Sequence, residues 1–175
     1  MRIAVCVKQI PDPATPYELA EDTHRVIRPN DQVLDDTDRF GVEVGLQLAE
    51  ASEGSVTLFS MSPSGSLQGI RQALAMGADK AVIIDDETLA GSDALTTSRI
   101  LAAAMEREGF DLVIINGLRL DMYRRLGWLA PIDASRVPNL RHIDAKWLDA
   151  FNARGYAVPY FWGTTGIGYR TDLVP

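Results

Sequence analysis

Several residue types that support chemistry are scarce in this chain. Its 175 residues include one cysteine, Cys6, and two histidines, His24 and His142. A single cysteine excludes a disulfide within the chain and a zinc site built from several cysteines. With so few histidines, no Ser–His–Asp or Cys–His set stands at workable positions. We therefore expect neither a catalytic constellation nor a metal site.

Positive charge and long apolar segments are lacking as well. Seventeen Lys and Arg stand against 24 Asp and Glu, a net charge of −7, which argues against a nucleic-acid partner because phosphate binding needs clustered basic side chains. No apolar run approaches the roughly 18–20 residues that span a bilayer, so we expect no membrane insertion. The start M-R-I-A-V-C-V-K lacks the apolar core of a signal peptide. These absences predict a cytoplasmic protein.

Strand and helix patterns alternate over the first two thirds of the chain. Short apolar runs predict buried strands at 3–7, 55–61, 81–84 and 112–115. Helical spacing and capping residues predict helices that begin near Asp38, Leu67 and Ser92 or Asp93. A weak alternation at Val26–Val33 predicts a short hairpin. The pattern is typical of an α/β fold: a Rossmann-like, three-layer parallel sheet with helices on both faces.

In such sheets, ligands bind outside the carboxyl ends of the strands, where the strand order reverses. The loops Lys8–Asp12, Ser60–Ser66 and Asn116–Leu118 follow predicted strands. Ser60–Ser66 also opens a helix whose free N–H groups could hold an anion. Neither G-x-G-x-x-G nor G-x-x-x-x-G-K-[ST] is present. A nucleotide site and a set of ordinary turns therefore remain alternatives.

The composition changes near Leu118. Residues 1–118 carry nine basic and nineteen acidic side chains and four aromatic residues, none of them Trp. The remaining 57 residues carry eight basic and five acidic side chains and nine aromatic residues. Such an asymmetry is typical of two domains or two origins, and chance variation along one domain is the alternative.

Five runs over about residues 1–118 carry a family resemblance: V-C-V-K-Q-I-P-D, D-D-T-D-R-F-G-V-E-V-G-L-Q-L, F-S-M-S-P, G-I-R-Q-A-L-A-M-G-A-D-K-A and F-D-L-V-I-I-N-G. In order and spacing this part resembles the small (β) subunit of electron transfer flavoprotein. The resemblance implies an electron carrier rather than an enzyme. It implies an α subunit as partner, an FAD shared with it, flavin dehydrogenases as electron donors, and an AMP, or in a bifurcating subgroup a second FAD, in the β subunit.

The same resemblance implies the nucleotide contacts. They fall on the first strand, before the first helix, at the end of the second strand and after the fourth, at Cys6, Asp35, Asp36, Thr37, Asp38, Met61, Asn116, Gly117 and Leu118. The family often has Asn-Pro where this chain has Asp35 and Asp36, and two acids suit a phosphate poorly because like charges repel. The alternative roles are a solvated turn for these acids and packing for Cys6 and Met61.

After Leu118 the family's phosphate-wrapping loop does not appear. Instead, residues 121–175 resemble the polyamine-type periplasmic solute-binding proteins of ABC transporters, through G-W-L-A-P-I-D-A-S-R-V-P-N-L-R-H-I-D and Y-A-V-P-Y-F-W-G-T-T-G-I-G-Y. We therefore predict a β-subunit-like nucleotide-binding core at 1–118 and a solute-binding-protein-like, grafted or irregular α/β fragment at 119–175. A polyamine-binding fragment and a hybrid that binds nothing are the alternative functions.

Overall fold

The computed structural model describes residues 1–63, 65, 67–114, 120–152 and 154–159. The chain divides into two compact units, Met1–Ile115 and Asn116–Pro175. The predicted boundary at Leu118 lies in the stretch 115–119, outside the described residues.

The first unit is built on a parallel sheet. Its strands are β1 (Arg2–Cys6), β2 (Gln9–Ile10), β3 (Val33–Leu34), β4 (Ser55–Met61), β5 (Lys80–Ile84) and β6 (Leu112–Ile114). Four of them form a sheet in the order β5-β4-β1-β6, with every neighbouring pair parallel. The chain moves outward from β1 to β4 and β5, and then returns to the other side of β1 with β6. The strand order therefore reverses between β1 and β6.

Helices cover both faces of this sheet, as predicted. They are α1 (Asp36–Ala51), α2 (Gln68–Ala75) and α3 (Ala94–Glu108). Ile3 and Val5 of β1 pack in one cluster with residues of α1 and α2, while Ala4 packs in a second cluster with Met105 of α3. Successive side chains of a strand point to opposite faces, so β1 is buried from both sides.

The helix ends follow capping chemistry. Asp35 is the N-cap of α1, so this helix begins earlier than the predicted start near Asp38. Asp93, one of the two predicted caps, accepts the Thr96 N–H at the start of α3. Gly77 follows α2 with a φ of 127°, in the region that favours glycine.

The hairpin predicted at Val26–Val33 is wrong. β3 pairs antiparallel with β2, in the register Ile10 with Val33, and Val26 pairs with Leu19. The physical reason is burial: Leu34 is 1% exposed against α2, and this position requires β3 to pair with the segment that leaves β1. We call residues 9–34, which contain β2 and β3, the arm.

A buried glutamine joins the arm to α2. The side chain of Gln9 is only 2% exposed. Its Oε1 accepts the backbone N–H groups of Gly69 at 2.9 Å and of Ile70 at 3.3 Å. The first N–H groups of a helix have no partner inside the helix, so Gln9 satisfies donors that the arm would otherwise bury unpaired.

The contact between the arm and α2 also depends on a glycine. A Cβ at Gly69 would lie 2.6 Å from the backbone N of Leu34 and 2.8 Å from the carbonyl carbon of Val33. Only glycine permits the two backbones to approach this closely. The Leu34 N–H also donates to Gln72 Oε1 at 3.2 Å, which ties β3 to the same helix.

The described part of the second unit, residues 120–152 and 154–159, is helical and contains no strand. It has α4 (Leu120–Arg125), α5 (Ala145–Leu148) and short 3-10 helices at Ala134–Arg136, Pro138–His142 and Ala150–Asn152. The rings of Tyr123 and Trp128 stack at 5.7 Å. The run from Tyr160 to Tyr169, which carries part of the solute-binding resemblance, lies outside the described residues. Among the helices described in both units, none has the length and apolar character to cross a membrane.

The role of Gln9 is tested by Gln9→Met, which keeps the side-chain volume and removes the acceptor. We expect a loss of about 1–3 kcal/mol in the free energy of unfolding, because two buried N–H groups lose their partner. Urea denaturation measures this loss, and hydrogen exchange at Gly69 and Ile70 should become faster.

The matched control is Gln47→Met on the exposed surface of α1, where the Gln47 amide donates to Glu43 at 2.7 Å. This variant should stay within about 0.5 kcal/mol of the wild type. Equal effects of the two substitutions would contradict the proposed role of Gln9.

Candidate functional site

The carboxyl edge of the sheet is the candidate site. Cys6 ends β1 and Met61 ends β4, both half-buried. β1 lies between β4 and β6, so Cys6 stands beside the point where the strand order reverses. The predicted contacts Asn116, Gly117 and Leu118 follow β6 and lie outside the described residues.

The turn before α1 is held by its own acids. Asp35 Oδ1 accepts the Thr37 N–H at 2.9 Å and the Thr37 hydroxyl at 2.6 Å. The Asp35 N–H donates to the Lys8 carbonyl at 3.0 Å. Asp35 thus caps the helix and joins it to the loop that follows β1.

Asp38 makes a second connection to the same loop. Its Oδ2 accepts the Lys8 backbone N–H at 2.6 Å. Burial raises the pKa of Asp38 to about 6, against the lowering effect of this hydrogen bond; the charge of Asp35 raises the pKa further. Lys8 is therefore held on both sides, by its N–H to Asp38 and by its carbonyl to Asp35.

The charge of Asp38 affects the ionisation of the Cys6 thiol. Burial raises the pKa of the Cys6 thiol to about 12, and the Asp38 charge adds to the effect. A thiol with a pKa this high is mainly protonated at neutral pH, which makes Cys6 a weak nucleophile. It packs with the cluster formed by Ala4, Phe59 and Met105.

The other predicted contacts that the structure describes are Asp36 and Met61. Asp36 is exposed and pairs with Arg39, with Oδ1 and Nε 3.3 Å apart. Met61 ends the strand next to β1 and is followed by Ser62, whose Oγ is buried and makes no hydrogen bond within the described part of the chain. The structure therefore brings Cys6, Asp35, Thr37 and Asp38 together around Lys8, and leaves Asp36 facing solvent.

The predicted anion site at the start of α2 is wrong in part. The N–H groups of Gly69 and Ile70 already donate to Gln9 Oε1, so they are not free for an anion. Sequence reasoning missed Gln9. Its only signal was a glutamine between apolar Val7 and Ile10, which marks a polar side chain near the core.

One of the acids after β5, Asp86, has a structural role. Asp86 Oδ1 accepts the Thr88 N–H at 2.8 Å and the Thr88 hydroxyl at 2.6 Å, and caps a 3-10 helix at Glu87–Leu89. Within the residues described, no group of three or more His, Cys, Asp or Glu is placed to hold a metal ion.

The raised pKa of Asp38 predicts a pH-dependent stability. The folded state holds this proton more tightly than the unfolded chain. The stabilisation is therefore complete below about pH 4 and is lost as the pH rises through about 6. Asp38→Asn removes this dependence, so the stability of the variant relative to the wild type should rise between about pH 4 and pH 7. Urea midpoints across this range measure it.

Asp86→Asn is the control, because hydrogen bonds from Thr88 lower the pKa of Asp86. The contribution of Asp86 is present above about pH 4 and is lost as the pH falls below it, so the stability of this variant relative to the wild type should stay nearly constant between about pH 4 and pH 7. Parallel pH profiles for Asp38→Asn and the wild type would show that the Asp38 carboxyl is not perturbed.

The protonated state of Cys6 predicts slow thiol labelling. With a pKa of about 12, only about one thiol in ten thousand is ionised at pH 8, and the thiolate is the reactive form. Labelling by an aromatic disulfide reagent should be at least about 100-fold slower in the native chain than in urea. The chain has one cysteine, so the signal is unambiguous. Equal rates in the two states would contradict the assignment.

The chain is similar in sequence to proteins of known family. Residues 23–119 match the model of the electron transfer flavoprotein domain. The chain is 36% identical to protein FixA of Azorhizobium caulinodans, over 62% of this chain and 39% of that protein. It is 40% identical to the electron transfer flavoprotein subunit beta of Mycobacterium tuberculosis, over 64% of this chain and 45% of that one.

A third relative extends further along the chain. The electron transfer flavoprotein subunit beta of Mycobacterium leprae is 39% identical over 81% of this chain and 56% of its own length. The chain spans about half the length of the relatives it matches. The domain match covers more than half of the 175 residues and includes α1 to α3 and strands β3 to β6. The chain therefore belongs to the electron transfer flavoprotein domain family.

Proposed function

We propose that this chain serves as the small, β-like subunit of an electron transfer flavoprotein. The observation that carries the proposal is the domain match over residues 23–119, which falls on a unit whose strand order β5-β4-β1-β6 reverses beside β1. A reversal of strand order is the place where parallel α/β sheets bind nucleotide-type ligands.

The proposed role is that of an electron carrier working with an α subunit. The relatives named above are subunits called beta, and this supports a partner chain. An FAD shared by the two subunits would accept and donate the electrons, and flavin dehydrogenases would supply them. This chain would form one of the two subunits. It would also hold the carboxyl edge of its sheet, at the end of β1, in a fixed position.

Specific residues of the chain give that edge a fixed shape. Asp35 and Asp38 hold the Lys8 backbone from α1, while Gln9 fastens the next residue of the same loop to α2. Three hydrogen-bonded anchors over two consecutive residues leave the loop little freedom to move. A prearranged loop suits a ligand site because little ordering is needed on binding.

The proposed β-like function includes residues after Leu118. The match to the Mycobacterium leprae subunit covers 81% of this chain, whereas residues 1–118 make up only about two thirds of it. The similarity to beta subunits therefore continues past Leu118. This favours a β-like function for the chain over polyamine binding by residues 121–175, which stays a prediction.

The proposal is tested by co-expressing this chain with an electron transfer flavoprotein α subunit, using an affinity tag on this chain. We expect the two to co-purify with the visible absorption of a flavin, and the flavin to be bleached by a chemical reductant without loss of the complex. Purification of the α subunit alone gives the flavin content that does not depend on this chain.

A folded chain, shown by far-ultraviolet circular dichroism, that purifies without the α subunit would refute the partnership. Co-purification with no flavin beyond that of the isolated α subunit would refute the carrier role while leaving the partnership intact.

A further inference from the structure

A cavity of about 230 Å³ lies at the amino edge of the sheet, at the opposite end of the strands from the candidate site above. Its walls come from the starts of β1, β4 and β5 and from the end of α3. All the residues that line it are described and belong to the first unit. The cavity suits a small ligand, because pockets for drug-sized molecules usually measure about 300–1,000 Å³.

The cavity is lined by a buried hydroxyl that the chain leaves unpaired. Thr57 of β4 is only 5% exposed and pairs in the sheet with Ala4 and Lys80. Paired residues of neighbouring strands point to the same face, so Thr57 lies on the side of the sheet that α3 covers. Among the residues that the structure describes, its hydroxyl has no hydrogen-bond partner. Buried polar groups normally have one, so this hydroxyl marks a place for a partner from outside the chain.

Four charged side chains line the same cavity, two of each sign: Arg2, Lys80, Asp79 and Glu108. Arg2 Nη1 donates to the Glu108 carbonyl at 2.9 Å, and Lys80 Nζ donates to Glu108 Oε2 at 2.5 Å. Asp79 Oδ2 accepts the Val56 N–H at 2.7 Å. A guanidinium, an ammonium and a carboxylate each make several hydrogen bonds, so all four side chains retain capacity for a ligand.

The charges of these four side chains cancel, and this balance selects among ligands. An anion would leave the cavity with a net negative charge and a cation with a net positive one, whereas a zwitterion keeps the balance at zero. The carboxylate of a zwitterion can accept from Arg2 and Lys80, and its ammonium can donate to Asp79 and Glu108. Hydrogen bonds between charged groups are roughly twice as strong as those between neutral groups.

An aromatic ring supplies the apolar part of the wall. Phe110 follows α3 and lines the cavity. Its ring packs edge to face on the ring of Phe59, with the centroids 5.3 Å apart, and Phe59 is completely buried. A short aliphatic side chain on the ligand would lose contact with water against this ring, which favours binding.

We infer that the cavity at the amino edge of the sheet binds a small aliphatic α-amino acid in its zwitterionic form. The ligand carboxylate lies between Arg2 and Lys80 and accepts the Thr57 hydroxyl. The ligand ammonium donates to Asp79 and Glu108. This site goes beyond the proposed electron-carrier function and does not depend on it.

The test is a titration of the isotope-labelled full chain with L-valine, followed by NMR at neutral pH and low salt. We expect saturable shifts of the backbone amide signals of Ser55, Lys80 and Gly109, which line the cavity, and none at Cys6 or Met61. Isovalerate is valine without the ammonium, and isobutylamine is valine without the carboxylate. Each should bind at least about tenfold more weakly than valine, because charged hydrogen bonds are lost.

Thr57→Val tests the hydroxyl, because the two side chains have nearly the same shape. The urea midpoint should not fall, since the hydroxyl has no hydrogen-bond partner among the described residues. Valine should bind about fivefold more weakly, because its carboxylate loses one donor. The matched control is Thr96→Val at the opposite end of α3, which should change the affinity by less than about twofold.

Glu108→Gln tests the charge balance. The substitution removes one negative charge and keeps an oxygen acceptor for Lys80. The cavity then has a net positive charge, so isovalerate should bind several-fold more tightly than to the wild type. Valine should bind more weakly, because its ammonium loses an ionic partner.

Four results would overturn the inference. They are the absence of a saturable shift with valine, shifts confined to the carboxyl edge of the sheet, an analogue that binds as tightly as valine, and an unchanged affinity in Thr57→Val. None of them bears on the α-subunit experiment, because the cavity lies at the other end of the strands. Failure of that experiment would likewise leave the amino-acid site standing.

Discussion

The buried N–H groups at the start of α2 need hydrogen-bond acceptors. This need constrains the arm that packs against α2 in the first unit. Gln9 meets that need from a segment that leaves β1, sixty residues earlier in the chain. To reach α2, the segment must extend away from the sheet, and it pairs with β3 as it does so. The position of β3 then fixes where Asp35 lies, because Asp35 follows Leu34 directly. Gln9 thus ties the arm, and through β3 the start of α1, to α2, together with the buried Leu34 and the close approach at Gly69.

The sheet could be predicted because its signals are local. The run Ser55–Met61 contains four apolar residues and is buried along its interior, and β4 has the predicted bounds. The start of α1 was harder to place, since three of the four residues from Asp35 to Asp38 are acids that can cap a helix. Only the hydrogen bonds to Thr37 and Lys8 show which acid caps and which acid binds the loop.

The arm and the capping of α2 could not be predicted for a physical reason. Polar residues at 28–31 resemble a hairpin turn, but the paired residues lie 23 positions apart (Ile10 and Val33) and 25 positions apart (Gln9 and Leu34) in the chain. Such a pairing is decided by the burial of Leu34 and the close approach at Gly69, and neither leaves a local pattern. The same limit applies to the candidate site, where the resemblance named Cys6, Asp35 and Asp38 but gave no sign that Lys8 joins them.

The contact at Gly69 has a consequence for how the acidic charges are positioned. The glycine sets the spacing between α2 and the arm, and the arm runs without interruption into the first turn of α1. A single added methyl group on α2 would push the arm outward and carry the carboxylates of α1 with it. Gly69 contacts the arm at Val33 and Leu34, directly before Asp35, so its size affects where the acids of α1 lie. A change of side-chain size on α2 can therefore alter the electrostatic potential at the end of β1.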